Sequence, residues 1–281
     1  MNRIDLHSHT AFSDGSLSPT ALVKLAHQEH IDVLAITDHD TTDGLAEAME
    51  ASRNLPLEII PGTELSAQFQ GREIHILGYF INFNDLQFQA RLEELRSTRI
   101  QRLQHILAQL QKLNIDISLS EVTQVAGTGT IGRPHIAQVL IEKGYVMGFK
   151  EAFERFLGLR GKAYVPRAVP EANEIISWIT DAGGIPVLAH PFWEGFNKEK
   201  SVASCRQLME QGLRGLEVFY STFSAGQISF NLNLARQFNL LITGGSDFHG
   251  SYKPNISLGK GQGSLKVPPT LVDHLRLAAG L

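Results

Sequence analysis

A single cysteine, Cys205, in 281 residues excludes an internal disulfide and fits a reducing compartment. No apolar run is long enough to cross a bilayer. Basic residues are not in excess: 25 Lys and Arg against 29 Asp and Glu leave a net charge of −4, too little cationic field to grip a nucleic-acid duplex. Low-complexity tracts and short-period repeats are missing. Met1-Asn2-Arg3-Ile4-Asp5 runs directly into a strand-like segment, without the pattern of a signal peptide. These absences lead to the expectation of a soluble, cytoplasmic protein that makes no membrane contact and implies no stable protein partner. There is no Gly-x-Ser-x-Gly elbow, and Cys205 lies outside every motif, so no side chain stands out as a covalent nucleophile. The length suits one large α/β domain, or a domain with an insertion, around a sizeable core.

What the chain does have is metal-ligand residue types at strand ends. Arg3-Ile4-Asp5-Leu6-His7-Ser8-His9 near one end and Gly245-Ser246-Asp247-Phe248-His249 near the other each carry two ligands at i, i+2. In extended chain these point to the same side and can converge on one ion. Val33–Thr37 leads into Asp38-His39, Ile59-Ile60-Pro61-Gly62-Thr63 into Glu64, and Ile185–Ala189 into His190-Pro191. His75 lies inside a further apolar run, and Asp14 sits in a Ser-Asp-Gly turn. Imidazole mixed with carboxylate suits divalent transition metals. One histidine after an apolar run means little; the argument rests on the repetition.

The apolar runs Arg3–Leu6, Val33–Thr37, Leu57–Pro61, Ile74–Phe80, Ile185–Ala189, Gly215–Phe219 and Leu240–Thr243 read as strands, most of them buried on both faces. Helical segments alternate with them, and Ser18-Pro19 and Val169-Pro170-Glu171 look like helix starts. That alternation indicates a parallel barrel or an open sheet. Ligands at carboxyl ends of strands fit the barrel.

Residues 84–165 break the alternation. Leu92, Leu95, Leu103, Ile106, Leu110 and Leu113 recur at near-helical spacing, and shorter helical pieces follow around Pro134–Lys143 and Lys150–Leu157. The expectation is a mainly helical insertion (84–165) hanging as a lid over a discontinuous catalytic barrel (1–83 and 166–281). Gly132-Arg133-Pro134-His135 opens one of its helices, and Arg160-Gly161-Lys162 follows. Arg133, His135, Lys162 and Arg160 are therefore candidates for binding phosphate, against the plainer reading of solvated charges. His27, His30, His105 and His274 read as surface residues. Asp38 and Asp40 could orient an imidazole, and Trp178, Trp193, Phe192, Tyr220 and Phe223 read as packing or cleft residues.

Together, His7-x-His9 with Asp14, Thr37-Asp38-His39, Gly62-Thr63-Glu64, His75, Ala189-His190-Pro191 and Ser246-Asp247-x-His249 resemble the PHP (polymerase and histidinol phosphatase) family. The resemblance covers roughly residues 1–80 and 165–250. It implies a distorted seven-stranded parallel (β/α)7 barrel and a trinuclear site with all nine ligand positions filled. His7, His9, Glu64 and Asp247 would hold the first metal. Glu64, bridging, would hold the second with His75 and His190, and Asp14, His39 and His249 the third. Glu64, Asp247 and His190 are the positions expected to matter most for catalysis. Manganese is the cation the resemblance favours, with iron, zinc or magnesium as substitutes. The implied reaction is hydrolysis of a phosphate ester by water activated between metals. Family members with a helical insertion and a Gly-Arg-Pro-His segment resemble nucleoside 3′,5′-bisphosphate phosphatases and 5′–3′ exoribonucleases acting on short 5′-phosphorylated RNA. The alternatives are a histidinol-phosphate-type phosphatase, an amidohydrolase-type C–N hydrolase, and a non-catalytic metal-binding module.

Overall fold

The computed structural model describes residues 3–127, 129–191 and 198–281; Phe192 and Trp193 lie outside the described residues. All seven expected strands are present: β1 (Arg3–Asp5), β2 (Ile31–Ile36), β3 (Glu58–Phe69), β4 (Arg72–Tyr79), β5 (Ile185–Leu188), β6 (Gly215–Tyr220) and β7 (Leu241–Gly245). They form one sheet in sequence order.

The sheet departs from the expected all-parallel arrangement at one strand. β4 runs antiparallel to both β3 and β5, while the other neighbouring pairs are parallel. The cause is local. Only Gln70 and Gly71 separate β3 from β4, and both take positive φ (49° and 76°). Two residues can close an antiparallel hairpin of this kind but cannot make the crossover that a parallel pair needs.

Beyond the strand ends, the first and last segments meet. The Leu6 N–H donates to the Gly244 carbonyl (3.2 Å), the Asp247 N–H to His7 (2.8 Å) and the His9 N–H to Phe248 (2.9 Å). Gly245 allows this approach, because a Cβ there would lie 2.3 Å from the His7 nitrogen.

The continuous apolar runs are explained by two cores, one on each face of the sheet. On β2, Leu34 and Ile36 join the cluster containing Leu22, Ile175 and Leu234, contributed by α1 (Pro19–Gln28), α7 (Ala172–Asp181) and α9 (Ala225–Gln237). Val33 and Ala35 face the opposite cluster, with Leu77, Tyr79 and Leu275 of α10 (Thr270–Ala279). α2 (Leu45–Ser52) and α8 (Lys198–Glu210) complete the outer layer.

Helices follow β4 as expected: α3 (Leu86–Lys112), α4 (Leu119–Ala126), α5 (Arg133–Glu142), α6 (Phe149–Ala152) and a π-helical turn, Phe153–Leu157. Asp85 caps α3 by accepting the Phe88 N–H (2.7 Å). Leu103, Ile106 and Leu110 of α3 share a separate core with Val122, Ile136, Leu140 and Phe156. Phe88, Leu92 and Leu95, earlier on the same helix, are buried in the main cluster. The 27-residue α3 thus belongs to two cores and ties one to the other. Leu113, expected on the buried stripe, is instead the exposed C-cap. No helix among the described residues is long and apolar enough to cross a membrane.

Candidate metal centre

The strand ends deliver their ligands to one place, and Glu64 is its centre. The carboxylate lies in the Gly62–Tyr79 hairpin and is 1% exposed. Its Oε2 is 3.2 Å from His7 Nε2, 3.3 Å from His9 Nε2 and 3.3 Å from His39 Nδ1. Its Oε1 is 2.9 Å from His75 Nδ1 and 2.8 Å from His190 Nε2. Asp247 Oδ1 lies 3.2 Å from His9 Nε2 and 3.3 Å from His249 Nδ1, and Asp14 Oδ1 lies 3.2 Å from His249 Nε2. All nine expected ligands are thus within one connected cluster.

The sharing differs from the assignment drawn from the sequence. Three groups could each hold an ion: His7, His9, Glu64 and Asp247; His9, Asp14, His39 and His249; His39, Glu64 and His75. His9 and His39 each belong to two groups, whereas the sequence assignment shared only Glu64. The His190 ring meets Glu64, and its backbone takes a φ of 26°. Asp247 is also in the left-handed region (φ 56°), a strain that an L residue sustains only where its surroundings impose it.

Glu217, Lys253 and Asp5, not singled out from the sequence, and Tyr220, read there as a packing or cleft residue, hold these side chains in place. Glu217, fully buried on β6, accepts from the His190 backbone N–H (2.6 Å) and lies 2.9 Å from His7 Nδ1, leaving His7 Nε2 toward Glu64. The signal for it was a lone carboxylate inside the apolar run Gly215–Phe219. Tyr220 (2.7 Å) and Lys253 (2.5 Å) both donate to Asp247 Oδ2, so only Oδ1 faces the imidazoles. Phe223 packs edge-on against Tyr220. Asp5 binds the His7 and Ser246 backbone N–H groups, joining β1 to the Asp247 segment.

Of the two readings open for Asp38 and Asp40, the structure shows neither hydrogen-bonded to an imidazole. Asp38 accepts from Thr10 and Ser13 and shapes the turn that carries Asp14. Asp40 accepts from Arg99 and Arg167. Replacing Glu217 by glutamine should cost about 10–100-fold in metal affinity, because partners that orient a ligating imidazole have that effect. Competition with a chelator measures it, and unchanged affinity would refute the orienting role.

The residues fit divalent cations on three counts. The donors are imidazole and carboxylate throughout. Buried Asp14 Oδ1 and His39 Nδ1 have no hydrogen-bond partner. The cluster also has surplus negative charge. Burial disfavours protonation of His7, yet Glu217, Glu64 and Asp247 outweigh it and hold its pKa well above the ordinary value. His9 and His75 are likewise carried to about 9 against the cost of burial, His9 by Asp247 and Glu64 and His75 chiefly by Glu64. Burial pushes His39 down to about 3 and, with Lys253, lowers His249, so the surplus is felt at His7, His9 and His75, where metal would displace protons.

A cavity of about 410 Å³ opens beside the cluster, bordered by Asp14, His39 and His249 on one side and by Arg99, Arg102 and Arg133 on the other. A second, of about 650 Å³, borders His190, Pro191 and Arg167. Glu73, His75 and Arg133 line both. Arg133, a candidate for binding phosphate, thus borders both cavities. His135 lines neither: it is buried, burial lowers its pKa, and its Nδ1 accepts the Gly132 N–H (3.0 Å), so the ring is neutral and caps α5. Arg160 and Lys162 are exposed and line neither cavity, because the turn after Leu157 carries them outward. His27, His30, His105 and His274 are exposed, as expected. Trp178 packs at the edge of the main core.

A family model described as the PHP domain matches residues 5–182. The chain is 35% identical to the 5′–3′ exoribonuclease Rnm of Escherichia coli, over 91% of this chain and 88% of that protein. It is 30% identical to the 3′,5′-nucleoside bisphosphate phosphatase of Chromobacterium violaceum, over 89% and 88%. A solved structure from Bifidobacterium adolescentis, assigned as a metal-dependent phosphoesterase, superposes with a TM-score of 0.88 at 31% identity, covering 98% of this chain and 96% of that one. Another, described as an amidohydrolase from Chromobacterium violaceum with bound sulfate and no metal, gives 0.86 at 28% with the same coverage.

Proposed function

The chain belongs to the PHP domain family of phosphoester hydrolases, and we propose that it removes phosphate or mononucleotides from phosphorylated ends: nucleoside 3′,5′-bisphosphates or short 5′-phosphorylated RNA. The observation that carries this is the meeting of five imidazoles on the Glu64 carboxylate beside an arginine-lined cavity.

Metals in this cluster supply Lewis-acid polarisation of the phosphoryl oxygen and activation of water. The protein's part is placement. Glu64 and Asp247 offer carboxylate oxygens at the centre, His190 and His75 flank the second cavity, and Glu217 fixes the donor atom that His7 presents. Arg133 offers positive charge where the two cavities meet. Manganese is the expected cation, since mixed imidazole and carboxylate ligation suits it and resemblance favours it over iron, zinc or magnesium.

Hydrolysis of C–N bonds is the rival reading. The carboxylate bridge from β3 favours phosphate, because no lysine lies on β2, β3, β4 or β5 to bridge metals in its place. The helical segment 84–165 roofs the cavity through Arg99, Arg102 and Arg133, which supports its reading as a lid. With a net charge of −4 there is no long cationic track for a polymer, which favours recognition of an end.

Metal-stripped protein supplied with Mn²⁺ should release phosphate from a nucleoside 3′,5′-bisphosphate and mononucleotides from linear 5′-phosphorylated RNA, while leaving a circle of the same sequence intact. Inactivity on every phosphoester would overturn the reading. Equal cutting of the circle would overturn end recognition.

A further inference from the structure

A nucleoside 3′,5′-bisphosphate has one nucleoside, and the metal cluster with the first cavity suffices for it. The second cavity is left over. It begins at the cluster, where His75 and His190 border it, and runs outward along the β3–β4 hairpin past Ile74 and Phe69 to Arg72 and Gly71. From His75 to Arg72 the strand covers three residue steps, about 10 Å. A volume of about 650 Å³ is ample for a nucleoside and its base.

The walls of this cavity differ in kind from the arginines of the first. Phe69, Ile74, Leu188 and Leu208 make much of the lining. Leu159 stands on it as well and is 69% exposed, a large apolar side chain left in water. Tyr164 is the aromatic ring with a partner that fixes its place. The Arg102 guanidinium lies over it, 5.6 Å from the ring centroid. Arg102 borders the first cavity and not the second, whereas Tyr164 borders the second and not the first. The pair is thus part of the wall between them, with the guanidinium on one side and the ring on the other. An aromatic face beside aliphatic walls suits a nucleobase, because every base has a π-face to stack.

We propose that the second cavity is the subsite for the nucleotide that follows the cut in 5′-phosphorylated RNA, with its base stacked on Tyr164. The proposal rests on the phosphoesterase reading and deepens it, because it commits the site to phosphodiesters as well as monoesters. A phosphodiester carries two nucleosides on one phosphorus. With that phosphorus at the cluster, the nucleoside of the phosphorylated end lies in the first cavity and the next one in the second. The hydroxyl of a water joins phosphorus, and the bond from phosphorus to the first nucleoside's 3′ oxygen breaks. That oxygen leaves with the water's other proton. The products are a nucleoside 5′-monophosphate and a remainder that again begins with a 5′ phosphate, so the same geometry serves the next round.

The test compares kcat/KM on a 5′-phosphorylated diribonucleotide with kcat/KM on the matching nucleoside 3′,5′-bisphosphate, using the full chain supplied with Mn²⁺. Wild type should cut both. Tyr164→Ala should lower the ratio of diribonucleotide to bisphosphate by about tenfold to a hundredfold, the value of one base stacked on an aromatic ring. Any disturbance of Arg102 by the same change affects both substrates and drops out of the ratio. Tyr164→Phe keeps the ring and should keep the ratio. Leu159→Glu sets a negative charge at an exposed position, where folding is not at stake, and should lower the ratio more at low salt than at high salt. Failure of the wild type to cut the diribonucleotide while it cuts the bisphosphate would overturn the proposal and leave the phosphoesterase reading intact. An unchanged ratio in Tyr164→Ala or Leu159→Glu, or as large a loss in Tyr164→Phe as in Tyr164→Ala, would overturn it too. Inactivity on both substrates would overturn the phosphoesterase reading and this proposal with it.

Discussion

Glu64→Gln is expected to lower kcat/KM on phosphoesters more than about a thousandfold, equivalent to about 4 kcal/mol of lost transition-state stabilisation. Glutamine preserves the size of the side chain but removes the charge on which five imidazoles converge. It also offers an amide N–H₂ where a ligand oxygen is needed. Burial opposes ionisation of Glu64, but the surrounding histidines, led by His39 and His7, hold its pKa well below the ordinary range, so the carboxylate is charged at any working pH. The variant should bind fewer metals per chain as well as turn over slowly. Elemental analysis beside steady-state kinetics checks both, and a variant with full metal content and near-normal turnover would remove Glu64 from the centre. Asp247→Asn should act in the same direction, since Asp247 Oδ1 faces His9 and His249.

All seven strands, and the nine residues that gather around Glu64, were legible because both depend on short-range chemistry. A strand buried on two faces writes a continuous apolar run, and a ligand at its end is a local residue type. The direction of β4 was also written locally, in the two-residue Gln70-Gly71 turn, but periodicity says nothing about direction. What stayed hidden depends on residues far apart in the chain. Asp40 meets Arg167 across 127 positions and Glu217 meets His7 across 210, and no spacing rule connects them. His135 shows the converse error. Its place in the first turn of α5 suggested a phosphate contact, yet in the fold its ring caps the helix. Arg102 reads in sequence as one charge on the polar face of a long helix, and only its burial and unpartnered Nη2 distinguish it.

Asp40→Asn should destabilise the fold by roughly 3 kcal/mol or more, because removing one partner of a buried ionic network leaves the others without counter-charge. Asp40 is fully buried and follows His39 at a φ of 54°. It accepts from Arg99 of α3 (2.6 Å), from Arg167 (2.8 Å) and, through its other oxygen, from the Ser66 N–H (3.1 Å). One carboxylate thus joins the His39 turn, β3, α3 and the segment that leads into α7. In a domain of this size the loss corresponds to a fall of roughly 6–12 °C in Tm. Added salt should change the effect little, since the network is shielded from solvent. Burial disfavours the Asp40 anion, but Arg167 and Arg99 outweigh it and hold the carboxyl below its ordinary pKa. A group depressed in the folded state contributes stability above its unfolded pKa and loses that contribution as pH falls toward the folded value. The gap between wild type and Asp40→Asn should therefore be full at neutral pH and narrow below about pH 4. Paired melts at several pH values measure it. A gap that stayed constant through the acid range would show that the charge on Asp40 does not tie Arg99 and Arg167 to β3.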